Sequence, residues 1–537
     1  MSKADIRAAQ SHSVWTPDLG DGTFKNPIVH ADYSDPDVIR VGEDFYMTAS
    51  SFSHVPGLPI LHSNDLVNWT IIGYAVDRLD LPGYDLPQHG KGIWAPSLRY
   101  HEGKFWIFFG APDEGIFMTT AVDPRGPWTP LHCVKEAKGW IDTCPLWDDD
   151  GQAYLVHAFA HSRSGIKHKL QVCKMSPDGT RLLDDGVIVF DGTENHPTLE
   201  GPKIYKRNGY YYIFAPAGGV PTGWQLILRS RSIYGPFQEK IVLHQGDSVV
   251  NGPHQGGWVE LESGESWFIH FQDKDAYGRV AHLQPVRWMD DWPLMGADTN
   301  GDGIGEPVLR TGKPKVGREW PAAVPDTTDH FAGERLGLQW QWQANPQNNW
   351  YSLKDKPGHL RLFAKPLPDG VNVMYDAPQL LMQKFPAEVF TVTAKMELHA
   401  EHAGEQAGLI VFGYTYGSLS LRQTGNGLRV ELLYGEAGND GVSERVEASE
   451  DVPDGAGPVY LRAAVGEMAL CQFSYSLDGE QFRKIGSSFY ASKGRWVGAK
   501  AGLYAVGGRA ASHFGTVPDS GSSQSSGYAD FDWIAFD

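Results

Sequence analysis

Five stretches of the chain share one arrangement of polar and apolar positions: a turn of small or polar residues, an apolar strand, a glycine-containing tight turn, then a strand rich in aromatics. They read DPDVIRVGEDFYM, APSLRYHEGKFWIFF, DTCPLWDDDGQAYLV, EGPKIYKRNGYYYIF and HQGGWVELESGESWFIH. The turn glycines Gly42, Gly103, Gly151, Gly209 and Gly264 are spaced by 61, 48, 58 and 55 residues. Antiparallel units of a few strands repeated at such a period read as blades of a β-propeller, here a five-bladed one. In equivalent blades the residue opening each innermost strand faces the central axis at one end of the channel. Those positions are Asp35, the pair Trp94 and Ala95, Asp142, Glu200 and His254.

The repeats run from Asn26 to about Gly296. We assign residues 26–310 to the propeller, with residues 1–25 as a loosely structured arm before it and residues 311–326 as a Gly/Pro-dense linker after it. From about Asp326 the pattern changes to strict alternation over five to eight positions between Gly, Asn or Asp turns, as in EVFTVTAKMELH, AGLIVFGY, LRVELLYG and PVYLRAAV. Strands of this kind predict an antiparallel β-sandwich over residues 327–537. DSGSSQSSG reads as a flexible polar loop and YADFDWIAF as the last strand. The expected class is all-β: a propeller, then a sandwich.

Two domains are also what 537 residues predict, since one core rarely grows so large. Aromatic residues make up 12% of the chain, which suits strands and supplies flat apolar platforms. The formal net charge of −19 argues against a nucleic-acid partner, whose binding rests on Lys and Arg. A neutral polar substrate is easier to reconcile with it. No run approaches the roughly 18 apolar residues of a membrane span. The first residues show no signal-peptide pattern, so the expectation is a cytoplasmic protein, or a secreted one whose signal is absent from this sequence. Cys133, Cys144, Cys173 and Cys471 have neither metal-ligand nor disulfide-scaffold spacing and read as buried thiols. Oligomeric state is not legible.

Three of the five axial positions carry carboxylates. Hydrolysis of a glycosidic bond needs one carboxylic acid to protonate the leaving oxygen and one carboxylate to activate water or attack directly. Asp35, Asp142 and Glu200 stand out from the 65 acidic residues by their matched places at strand mouths, in SDP, IDTCP and LEGP. Carboxylates brought together push each other's pKa values apart, which leaves one protonated and one ionised near neutral pH.

NPIVHADYSDPDVIRVGEDFYMTASSF, GIWAPSLRYHEGKFW, IDTCPLWDDDG, LEGPKIYKRNGYYYIF and HQGGWV together resemble glycoside hydrolase family 43, in its branch of β-xylosidases and α-L-arabinofuranosidases. The second domain is similar to the concanavalin-like sandwich that often follows. The resemblance implies hydrolysis with inversion, with Asp35 as general base, Glu200 as general acid and Asp142 as the residue that tunes and orients the acid. It also implies a calcium ion in the channel near His254; imidazole is a poor ligand for so hard an ion, so water is expected to complete most of the shell. Arg279 matches a family arginine that reaches sugar hydroxyls, and Trp94 and Phe214 are candidates for stacking on the sugar. Where many xylosidases of the family carry an aromatic pair, this chain has His54 and Val55, so His54 is expected in the wall of the sugar pocket. DTNGDG resembles the first half of an EF-hand loop, but Leu309 stands where its bidentate Glu belongs, so a plain Gly/Asp turn is expected. The activity implied is exo-acting release of terminal D-xylose or L-arabinose from xylo-oligosaccharides or arabinoxylan fragments. An endo-arabinanase and a non-catalytic glycan-binding propeller are the alternatives. The Arg-Asp-Pro signature of sucrose-type fructosidases is absent.

Overall fold

A computed structural model describes residues 14–507 and 527–537. Residues 1–13 of the expected arm and residues 519–526 of the polar loop lie outside the described residues. Five four-stranded antiparallel sheets follow one another along the chain, each built from consecutive strands. Their innermost strands are Asp37–Val41, Trp94–His101, Trp140–Trp147, Lys203–Arg207 and His254–Glu260, and we number the blades 1 to 5 in that order. The five expected turn glycines all have φ between 64° and 82°, left-handed values that glycine adopts without a Cβ clash, so each turn can close on two strands.

No blade is shared between the chain ends, so the ring closes through side-chain packing and a few backbone bonds, among them the pair exchanged by Val29 and Ala281, rather than through a common sheet. Phe24, Val29, Tyr33, Val38 and Phe45 pack against Val259, Trp267, Ile269 and Ala281 of blade 5 in one apolar cluster. Asn26 stitches the seam: its Nδ2 donates to the carbonyls of Leu283 and Val308, and its Oδ1 accepts the Leu283 N–H. Thr23–Lys25, at the end of the expected arm, is ordered for the same reason; it pairs with Arg310–Gly312 and ties the two ends of the propeller together.

The second domain stacks a seven-stranded sheet on an eight-stranded one. Phe390–His399 and Val459–Val465 show the alternation read from the sequence. Gln406–Phe412 is buried on both faces, because Met374, Tyr375 and Ala377 cover the side that would otherwise meet water. The domains interlock. Val55 and Trp342 exchange two backbone hydrogen bonds, and Ala276, Tyr277 and Val280 of the propeller sit in the sandwich core. No helix among the described residues is long and apolar enough to cross a membrane.

Candidate active site

Each inner strand opens on a residue with positive φ: Asp35 (54°), Ala95 (23°), Asp142 (57°), Gly201 (61°) and Gln255 (34°). Non-glycine residues hold such angles only when the surroundings enforce them, at roughly 1–3 kcal/mol each. This ring revises the equivalence drawn from the sequence. Asp35 and Asp142 share one layer, whereas Glu200 and His254 come one residue earlier, in the layer of Ser34, Trp94 and Ile141. The offset follows from the prolines: Asp35, Ala95 and Gly201 each precede one, so Gly201 and not Glu200 matches Asp35. The side chain of Glu200 is accordingly 26% exposed, against 8% for Asp35.

Asp35 accepts hydrogen bonds from Ser34 Oγ and Ser50 Oγ, both at 2.6 Å, and from Arg279 at 3.2 Å. Arg279 also donates to Ser34 Oγ at 2.7 Å, and Ser50 Oγ accepts the Ala95 N–H, so the base of the pocket is fixed from three blades. Asp142 accepts the Gly201 N–H at 2.8 Å, a bond that holds the backbone beside Glu200. Glu200 Oε1 lies 3.0 Å from His254 Nε2. Burial, then the charges of Glu200 and Asp35, push the Asp142 carboxyl up to about 8, while the Gly201 N–H and the Lys203 ammonium pull it back. A proton is therefore stored on the buried member of the carboxylate group.

Asp35, Asp142 and Glu200 line one pocket of about 530 Å³, together with Trp94 and Arg279. Two expected residues are elsewhere. Phe214 is 1% exposed and packs on Tyr205, Trp258 and Phe268 between blades 4 and 5, because its place on the second strand of blade 4 turns it into the core. His54 is buried away from the pocket at the domain interface, where burial and then Lys500 and Lys384 hold its imidazole well below its usual range. Phe52, two residues earlier, is the pocket residue in that segment; its ring meets Trp94 edge-on at 6.4 Å. Arg163, Lys167 and His168, from the loop after the second strand of blade 3, were not anticipated, and neither were Arg495 and Trp496 of the sandwich. Trp496 stands 6.2 Å from Trp94 and 5.6 Å from the Arg279 guanidinium, closing one side of the funnel.

Residues 24–293 match the model of glycosyl hydrolases family 43. The chain is a family 43 glycoside hydrolase. Residues 328–537 match the β-xylosidase C-terminal concanavalin A-like domain. A relative from Xylanibacter ruminicola is 41% identical over 489 residues, covering 90% of this chain and 86% of its own. A non-reducing end α-L-arabinofuranosidase of Bacteroides ovatus is 31% identical, covering 73% of this chain and 74% of its own. The crystal structure of a family 43 protein from Bacillus licheniformis superimposes with a TM-score of 0.81 at 26% identity, over 96% of this chain and 99% of that one.

Beneath the carboxylates the family 43 hydrolase closes its channel with a second ring two residues further along: Asp37, Ser97, Cys144, Lys203 and Gly257. Lys203 is fully buried and donates to the Pro96 carbonyl at 2.6 Å and to Ser97 Oγ at 3.1 Å, with Asp37 at 3.9 Å. Asp37 accepts from Arg99 at 2.7 Å, and Arg99 also donates to Cys144 Sγ at 2.8 Å. Charges buried this deeply persist because each is paired and hydrogen-bonded. A calcium ion was expected near His254. There Nε2 is engaged with Glu200, Nδ1 is buried without a hydrogen-bond partner, and no group of three or more His, Cys, Asp or Glu side chains able to hold a metal occurs among the described residues. Calcium takes six to eight oxygens, so an ion beside His254 would draw most of its shell from water, the arrangement the resemblance implies. In DTNGDG, Asp298 accepts the N–H groups of Gly301 and Gly303 and Asp302 that of Ile304, so these carboxylates serve their own turn. All four cysteines are free; three are buried and Cys133 is half-buried.

Proposed function

We propose that this hydrolase removes terminal D-xylose or L-arabinose from short hemicellulose fragments by a single displacement with inversion. The observation that carries it is the placing of three carboxylates in a pocket that Trp496 of the second domain walls on one side. A floor that ends the pocket selects a chain end, and a long glycan passing through would collide with that wall. An endo-acting arabinanase, which needs an open groove, is disfavoured for the same reason.

In this reading Asp35, held by Ser34, Ser50 and Arg279, takes a proton from a water that attacks the anomeric carbon as the glycosidic bond breaks. Glu200 gives its proton to the departing oxygen. The sugar leaves with inverted configuration, and both carboxyl groups have exchanged one proton. Asp142 holds the Glu200 backbone through the Gly201 N–H, and the proton that the two coupled carboxylates share passes to Glu200 before it is given to the leaving oxygen. Trp94 and Phe52 offer apolar faces to the ring of the bound sugar.

The test is release of nitrophenol from the β-D-xylopyranoside and the α-L-arabinofuranoside by the wild type, Asp35→Asn and Glu200→Gln. General acid or base catalysis contributes about 10²–10⁴-fold, and losses of that size are expected for Asp35→Asn on both substrates. Glu200→Gln should lose less on nitrophenyl substrates, whose leaving group needs little protonation, than on xylobiose. Undiminished turnover in both variants would refute the assignment, and binding without turnover in the wild type would favour a glycan-binding propeller.

A further inference from the structure

In a chain of net charge −19, four cationic side chains meet at one cavity: Arg163, Lys167, Arg279 and Arg495. Two are already matched. Arg163 pairs with Asp113 at 3.2 Å and Arg279 with Asp35 at 3.2 Å. Lys167 and Arg495 are exposed, and among the described residues neither has an ion-pair partner. They approach the cavity from different domains, one on the blade 3 loop and one on the sandwich, so the basic rim exists only once the domains are docked. Arg495 lies 4.7 Å over the Trp496 ring, which gives its guanidinium an apolar seat. Arg495 and Trp496 also line a neighbouring cavity of about 270 Å³, whose own lysine, Lys493, is paired with Asp273 at 3.2 Å.

The carboxylates occupy the buried floor and the unpaired cations occupy the mouth. If the terminal sugar sits at the floor, as the proposed function requires, the leaving part of the substrate extends past Lys167 and Arg495. We propose that this mouth is a subsite for an acidic leaving group: an oligosaccharide bearing a uronic acid close to the scissile bond. Its carboxylate matches the guanidinium of Arg495, which offers planar paired donors, and the ammonium of Lys167 supplies attraction from the facing rim. A neutral leaving sugar would leave both cations to water. The proposal rests on the exo-glycosidase reading and adds to it which substrates are preferred.

The experiment compares kcat/KM for two xylose-terminated oligosaccharides of one length, one neutral and one with a glucuronic acid branch on the sugar next to the scissile bond. At low salt the wild type is expected to favour the acidic substrate about fivefold, the scale of a partly exposed ion pair. The preference should fade at about 0.5 M NaCl, where screening shortens the reach of exposed charges to a few ångströms. Arg495→Gln should lower the acidic-to-neutral ratio and Arg495→Lys should largely keep it. Lys167→Gln, on an exposed loop, carries the same test should Arg495→Gln fold poorly. A wild-type ratio at or below one, or a ratio that neither glutamine variant moves, overturns the proposal. Cleavage of the neutral substrate without preference overturns this inference alone. Failure to cleave either substrate, or the arabinose-terminated counterpart, overturns the functional reading and this inference with it.

Discussion

Asp142 stores a proton in the folded protein that it would lose in the unfolded chain, and this makes stability depend on pH in a way one substitution should remove. Its carboxyl is displaced from 3.8 to about 8 by burial and by the charges of Glu200 and Asp35. The raised value means the native state binds the extra proton, so this group's contribution falls as pH rises from about 4 towards 8 and changes little beyond. For one proton the slope is about 1.4 kcal/mol per pH unit, which amounts to roughly 3 kcal/mol lost between pH 5 and pH 7. Asp142→Asn removes the titration but keeps an oxygen to accept the Gly201 N–H, now made at 2.8 Å. Denaturant unfolding of both proteins at pH 5 and pH 7 gives a difference of differences in which titrating groups remote from Asp142 cancel, so that it reports the coupled carboxylate group. The variant is expected to gain about 2–3 kcal/mol on the wild type between the two pH values. It should also lose activity, because an amide cannot exchange a proton with Glu200. Parallel pH dependences in the two proteins would refute the stored proton.

Other expectations follow from single contacts. In Gly201→Ala a Cβ would stand 2.8–2.9 Å from Gln255 and Pro216 at a φ of 61°, so a stability loss of about 1–3 kcal/mol should accompany a fall in kcat as the neighbouring Glu200 is displaced; thermal melts and kinetics together check this. Trp496→Ala should raise KM for oligosaccharides and leave melting little changed, since the ring is 40% exposed; unchanged KM would remove it from the pocket wall. Deleting the second domain should yield a propeller that is insoluble or loses chain-end selectivity, because Tyr277 and Val280 would be stripped of their packing; an unchanged product pattern would count against its closing role. Calcium, lacking a carboxylate cage at His254, should raise the melting temperature only at millimolar concentration, and a micromolar response in a differential melt would mean a better-built site.

The local pattern of the chain determined a good deal. Five turn glycines at comparable spacing fixed the blade count, because each supplies a left-handed turn that other residues resist, and alternation fixed the sandwich strands because one face meets water and the other the core. Asp35 and Asp142 were also legible, since repeats place equivalent residues at equivalent points on the axis; Glu200 was read one residue away from its equivalent point, and Arg279 came from the family resemblance rather than from the repeat. What the sequence could not decide was which way a side chain turns when both faces of its strand are buried. Phe214 and His54 were read into the pocket, yet one belongs to the packing between blades and the other to the domain interface, while Phe52 lines the pocket. The one-residue offset of Glu200 depended on a left-handed residue at each strand mouth, marked in the sequence by a following proline at Asp35, Ala95 and Gly201 but by nothing comparable at Asp142 and Gln255. Arg495 and Trp496 lie more than 200 residues from the last blade carboxylate. Their place in the pocket is a product of domain docking, a long-range packing energy that no local pattern encodes, and it is this docking that turns an open funnel into a pocket walled on one side, with a charged mouth.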